Sequence, residues 1–108
     1  MSVPSLRRGP RLTRMLFLVI STPRPERPST VVRQRQRFWR WIDPKLKSKQ
    51  CRLVHARTGR GAVALFDVAS NEELHALLNE WAEIIPAHFE IHPLIDSAAA
   101  TRYLGRRK

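Results

Sequence analysis

Residues 15–21 (Met-Leu-Phe-Leu-Val-Ile-Ser) are apolar on both alternating faces of the strand they would form. Leu16, Leu18 and Ile20 fall on one side, Phe17 and Val19 on the other. A strand with one wetted face alternates apolar with polar residues, so this one needs cover on both sides. The apolar run ends after six residues, far short of the ~20 needed to cross a bilayer. Ser21-Thr22-Pro23-Arg24-Pro25 follows it in place of a small-x-small cleavage site. The segment therefore reads as the first strand of a folded domain and not as a signal peptide or a membrane span. The expected location is cytoplasmic, with no membrane partner. The single cysteine, Cys51, fits a reducing compartment, since it has no internal disulfide partner.

The rest of the chain supplies partners for that strand. Residues 22–29 hold three prolines and read as a loop. Ser29 or Thr30 then caps a helix through Val31, Val32, Phe38, Trp39, Trp41 and Ile42. Positions 31, 38 and 42 share one face, and Arg33, Arg37 and Arg40 lie away from it. Pro44 is expected to break or bend this helix near Asp43. Residues 50–57 and 61–67 read as two strands joined by Thr58-Gly59-Arg60, with Gly59 and Gly61 supplying the positive φ of a tight hairpin. Ser70 and Glu73 have capping-box spacing. Leu74, Leu77, Leu78 and Trp81 follow as one apolar stripe that stops before Pro86. Residues 88–95 make the last strand.

The order is β-α-β-β-α-β, a ferredoxin-like α+β fold with an antiparallel sheet and both helices on one face. The strands at 15–21 and 61–67 are apolar on both faces, so the uncovered face is an aggregation hazard unless a second copy stacks on it. A sheet-to-sheet homodimer, or a higher homo-oligomer built on it, is expected. A domain of this size also gains from burying further surface in an assembly.

The net charge of +11 raises the question of a nucleic-acid partner. Arg7, Arg8, Arg11 and Arg14 precede the first strand, and Arg102, Arg106, Arg107 and Lys108 close the chain. These eight leave 12 cations against nine acids between them, a net of +3. Most of the basicity thus sits in the tails, which bind polyanions weakly and without sequence preference. No specific nucleic-acid partner is expected. The organisation reads as a disordered basic leader (1–14), a domain (15–95) and a basic tail (96–108).

The run Phe66-Asp67-Val68-Ala69-Ser70-Asn71-Glu72-Glu73-Leu74-His75, with Leu77-Leu78 and the segment from Pro86 to Pro93, resembles the muconolactone isomerase family. Met15-Leu16-Phe17 and Arg57-Thr58-Gly59 are similar to that family as well. The resemblance implies a dimeric α+β barrel, often assembled further, that moves a proton within a small unsaturated lactone during the breakdown of aromatic compounds. It implies no metal and no organic cofactor. One departure bears on the chemistry. Moving a proton between carbons needs a base, and an acid or cation to hold the enolate. Members of the family present acidic residues on the first helix, whereas residues 29–42 here contain none.

Candidate site residues follow from what remains. His55 lies mid-strand and is either the replacement base or a structural strand histidine. Arg57, two positions on and so on the same side, is either placed to hold a carboxylate bidentately or a solvated arginine at the strand end, with Arg52 on the opposite side. Trp39 and Trp41 are about 200° apart around a helix, so one of them leaves the core. Phe38 and Trp41 with a strand arginine would line a cavity for a small unsaturated or aromatic-derived acid. His75 either faces that pocket or faces solvent. His88 and His92 share a strand face but have no third ligand nearby, so no metal site is expected. Three readings result: an isomerase-type enzyme using His55, a non-catalytic ligand-binding or assembly module on the same barrel, and RNA binding on the sheet. The last finds only Phe66 among the aliphatics of the middle strands.

Overall fold

The computed structural model of the chain describes residues 14–106. Four strands form one antiparallel sheet: β1 (Met15–Pro23), β2 (Cys51–Ala56), β3 (Ala62–Val68) and β4 (Ala87–Leu94), in the order β2-β3-β1-β4. Two helices join them, α1 (Val32–Ser48), preceded by a 3-10 turn at Pro28–Val31, and α2 (Asn71–Ile84). A third helix, α3 (Ser97–Gly105), follows β4. The result is a small α+β domain with an open four-stranded sheet, compatible with the ferredoxin-like arrangement.

The pleat sorts the strand residues as their alternation requires. Phe17, Val19 and Ser21 of β1 and Ala62, Ala64, Phe66 and Val68 of β3 are buried beneath the helices. Leu16, Leu18, Ile20, Val63 and Leu65 point to the opposite face and are only half-buried. Trp81 organises the core. Its ring centroid lies 4.8 Å from Phe38, 5.1 Å from Phe89, 6.2 Å from Trp41 and 6.3 Å from Phe66, so it joins both helices to the sheet.

The two main helices begin very differently. In α2 the Ser70 hydroxyl accepts from the Glu73 amide at 3.1 Å, and the Glu73 carboxylate accepts from the Ala69 amide at 2.8 Å. Glu72 and Glu73 also place negative charge in the first turn, where the helix dipole favours it. By contrast α1 has no side-chain cap and no acid in its first turn, and neither does the 3-10 turn before it. Arg33 and Arg37 add a like-charge i,i+4 pair, which costs an isolated helix about 0.2–0.5 kcal/mol. Packing must supply what local sequence withholds from α1. Phe38 and Ile42 do so, buried against the sheet and α2.

One expectation is corrected. Pro44 does not end the first helix, which runs on to Ser48 and closes on Lys49 in the left-handed conformation (φ 71°). Pro44 is exposed on the outer side of α1, while Ile42 and Leu46 hold the inner side to the core. The basic segment at 96–108 contains α3, started by the Asp96 carboxylate accepting from the Ala98 amide. The expected leader falls outside the described residues except for Arg14, and Arg14 has a role. Its guanidinium meets Asp67 at 2.7 Å, and Arg52 meets the same carboxylate at 2.9 Å. That hydrogen bond and the Asp67 charge push the Arg14 pKa up. Among the described residues no helix is long and apolar enough to cross a membrane.

Candidate functional site

The cleft best suited to a ligand lies where α1 leans over the β2–β3 hairpin. Ser21, Pro23, Arg35, Phe38, Trp39, Ala56, Arg57, Gly59, Arg60, Gly61, Ala62, Trp81 and Ile85 line it. The cleft volume is about 70 Å³, inside about 490 Å³ of unfilled space that includes open solvent. That is well below the roughly 300–1,000 Å³ of a site that swallows a drug-sized ligand. It suits the polar head or the edge of a small planar molecule, with the remainder at the mouth.

Helix periodicity builds one wall. Arg35 and Trp39 are four apart and therefore stacked on one flank of α1, beside the buried Phe38. Trp39 stays 43% exposed, held edge-on to Phe38 at 5.0 Å. The hairpin builds the other wall. Gly59 and Gly61 adopt φ of 97° and 99°, which turns the chain back so that Arg57 and Arg60 flank the mouth. Arg57 is fixed by donating to the Ser21 carbonyl and the Thr22 hydroxyl, both at 2.9 Å. Arg60 is half-buried, and neither it nor Arg35 has an ion-pair partner among the described residues. The floor is the Ser21 hydroxyl, which accepts from the Ala62 amide at 2.9 Å and donates to its carbonyl at 3.4 Å.

The lining therefore contains three guanidinium groups and three large aromatic rings, with no carboxylate and no imidazole. Such an arrangement binds anions and stacks on flat rings. It offers no resident base.

Of the residues expected at a site, Phe38 and Arg57 meet in this cleft. The other three stand elsewhere. His55 pairs with Val63 across the sheet and so shares the open face, on the far side from the cleft. Arg52 does not oppose it as simple alternation requires. A register shift between Cys51 and Leu53 inserts an extra residue, and Arg52 reaches Asp67, which the pleat puts on the open face too. Trp41 turns to the seam between α1 and α2, where its indole donates to Glu80 at 2.9 Å beneath the Lys45 ammonium. His75 is exposed on α2, beside Asn79 at 3.2 Å. His92 pairs with Glu90 at 2.8 Å, and no group of three metal-ligating side chains occurs among the described residues. Cys51 is buried, which pushes its thiol pKa up and away from reactive thiolate.

Arg35 and Arg60 were not among the expected site residues, and Trp39 is the indole that leaves the core to line the cleft. Their sequence signals were the i,i+4 spacing of an arginine and a tryptophan, and a cation between the two hairpin glycines.

A small α+β domain with a cationic, aromatic-walled cleft is the class that fold and site define. The chain belongs to the DUF3303 family, a domain of unknown function, whose model matches residues 15–108. No curated protein matches the chain.

Proposed function

We propose that this chain is a ligand-binding domain of the dimeric α+β barrel kind, whose cleft takes a small, anionic, planar unsaturated or aromatic acid. The observation that carries the reading is the lining itself: Arg35, Arg57 and Arg60 converge on a space walled by Phe38, Trp39 and Trp81, with no acid to neutralise them. A carboxylate seated there gains charge-assisted hydrogen bonds, and the flat part of the same molecule lies along the indole edge. The resemblance to muconolactone isomerases points to the same substrate class. Proton transfer on an unsaturated lactone is the alternative. It needs a base that the lining does not hold, since His55 is on the other face of the sheet and the Ser21 hydroxyl is committed to Ala62. The lone buried thiol of Cys51 fits a reducing, cytoplasmic setting.

The test is titration of the full chain with muconolactone and a panel of unsaturated and aromatic carboxylates, followed by the indole N–H resonances and by deuterium uptake at ligand carbons. Binding should move the Trp39 indole signal and weaken about tenfold or more in Arg60→Met, which removes a charge-assisted contact and no side-chain hydrogen bond or ion pair among the described residues. Unchanged affinity in Arg60→Met would sink the cleft assignment. Deuterium uptake lost in His55→Ala would instead favour the isomerase reading.

The dimer belongs to this proposal as well. The open sheet face presents Leu16, Leu18, Ile20, Val63 and Leu65 half-buried and Leu53 and Leu94 exposed, and α3 buries no residue. One copy leaves these surfaces wet, and a two-fold pairing covers the same patch on both partners. Sedimentation should give an even-numbered oligomer that Leu18→Glu converts to monomer. A monomeric wild-type chain at high concentration would refute it.

A further inference from the structure

We propose that the outer face of α1 is a docking surface for the phosphate backbone of a single-stranded nucleic acid, with Trp39 as the platform on which a base stacks. Arg33, Arg37 and Arg40 are all exposed and fall within about 60° of one another around the helix, opposite the buried Phe38 and Ile42. None of the three forms an ion pair among the described residues. The shallow groove along the first turns of α1 adds Ser29, Thr30, Gln34 and Gln36, all of them hydrogen-bond donors and none of them acidic. The only acid on α1, Asp43, is taken by Lys47 at 3.0 Å.

A charged helix face is ordinarily a solvated one with both signs interspersed, because alternate charges support the helix and like charges oppose it. This row breaks that rule. It places cations in the first turns, at the positive end of the dipole, and sets Arg33 and Arg37 against each other with no cap to compensate. The same domain follows the rule at α2, with Ser70, Glu72 and Glu73. A local conflict retained on one helix and absent from its neighbour marks a surface shaped by something outside the domain. A row of phosphates neutralises all three guanidinium groups at once and removes their repulsion.

The kind of polyanion follows from what surrounds the row. A helix that lies on an anionic membrane needs a continuous apolar side to insert, and apart from Val32 and Trp39 the large apolar residues of α1 are turned toward the core. Two apolar side chains stand exposed on one flank of the row, Val32 and Trp39, and of these only Trp39 offers a ring, between the row and the Arg35–Arg60 cleft. A duplex keeps its bases stacked on one another, whereas a single strand offers them to an aromatic platform. Recognition of this type is sequence-independent. The inference does not need the small-ligand reading, since Arg33, Arg37 and Arg40 lie outside the cleft lining and only Trp39 is shared with it.

The experiment is fluorescence anisotropy of a short labelled oligothymidylate with the full chain over a series of salt concentrations. Each phosphate neutralised on a single strand contributes about 0.7 to the slope of log affinity against log salt. The triple variant R33Q/R37Q/R40Q is therefore expected to flatten that slope by about 2 and weaken binding at least about tenfold at low salt. Its melting temperature should hold or rise, because internal repulsion is removed, and this separates lost docking from lost folding. W39A should weaken binding about fivefold or more while leaving the slope unchanged. A slope unaltered in the triple variant would assign any binding to the terminal cations and overturn the proposal. So would equal affinity for a duplex of the same length, or a triple-variant defect seen only with phosphatidylserine vesicles.

Discussion

Trp81→Ala is expected to cost about 3–5 kcal/mol, the range for truncating a large aromatic in a core that cannot collapse around the gap. Trp81 is 2% exposed and meets Phe38, Trp41, Phe66 and Phe89, so the void would open where both helices and the sheet converge. Aromatic pairs add about 0.5–1.5 kcal/mol each beyond their buried area. A domain of this size has only about 5–15 kcal/mol of stability to lose. Urea unfolding followed by circular dichroism should show the midpoint falling sharply, and thermal melting should drop by at least about 12 °C. Trp39→Ala is the control. Its ring is 43% exposed and touches only Phe38 among the rings, so its cost should stay within about 1 kcal/mol. Equal losses in the two variants would show that Trp81 is not the hub of the core.

Gly61→Ala should be the most damaging change outside the core, and its neighbour shows why. Gly59 and Gly61 have nearly the same backbone, φ 97° and 99°, where a side chain is strained wherever it points. A Cβ at Gly59 would meet nothing within 4 Å. The same atom at Gly61 would press into the Ser21 carbonyl oxygen, with Pro23 Cδ at 3.2 Å and Arg57 Cδ at 3.3 Å. The oxygen is backbone of β1, already accepting from Arg57, and the Ser21 hydroxyl binds Ala62 beside it. The hairpin must therefore lift away from β1, carrying one wall of the cleft. Gly59→Ala should cost about 1–2 kcal/mol from conformation alone. Gly61→Ala adds roughly 1–3 kcal/mol of overpacking and should also abolish ligand binding. Denaturant titration of the two variants together is decisive, because equal costs would remove the steric argument.

These two residues mark how far periodicity reaches. Trp81 was legible as core because it continues the stripe of Leu74, Leu77 and Leu78, and an apolar residue at that spacing has one place to go. Ser70 with Glu73 was legible for the same local reason, since a cap satisfies backbone groups three residues away. The positive φ of Gly59 and Gly61 could be read too, but not that only one of them is pressed against β1. That contact joins residues forty positions apart.

The chain by itself determined the four strands, the two main helices and their order, though not α3, because alternation, the 3.6-residue stripe and turn chemistry are all properties of neighbours in sequence. It also determined that Trp39 and Trp41 must part, since a helix cannot turn both inward. Tertiary structure decided what those elements bring together. His55 and Arg57 are two apart along the chain, yet a strand's end separates them: His55 stays on the pleat and faces the open sheet, while Arg57 leaves it and bonds to Ser21. Pro44 sits inside a helix because the core grips the opposite side. The cleft exists because α1 crosses the hairpin at Trp39, and no local rule sets that crossing. Packing does, through the rings gathered around Trp81.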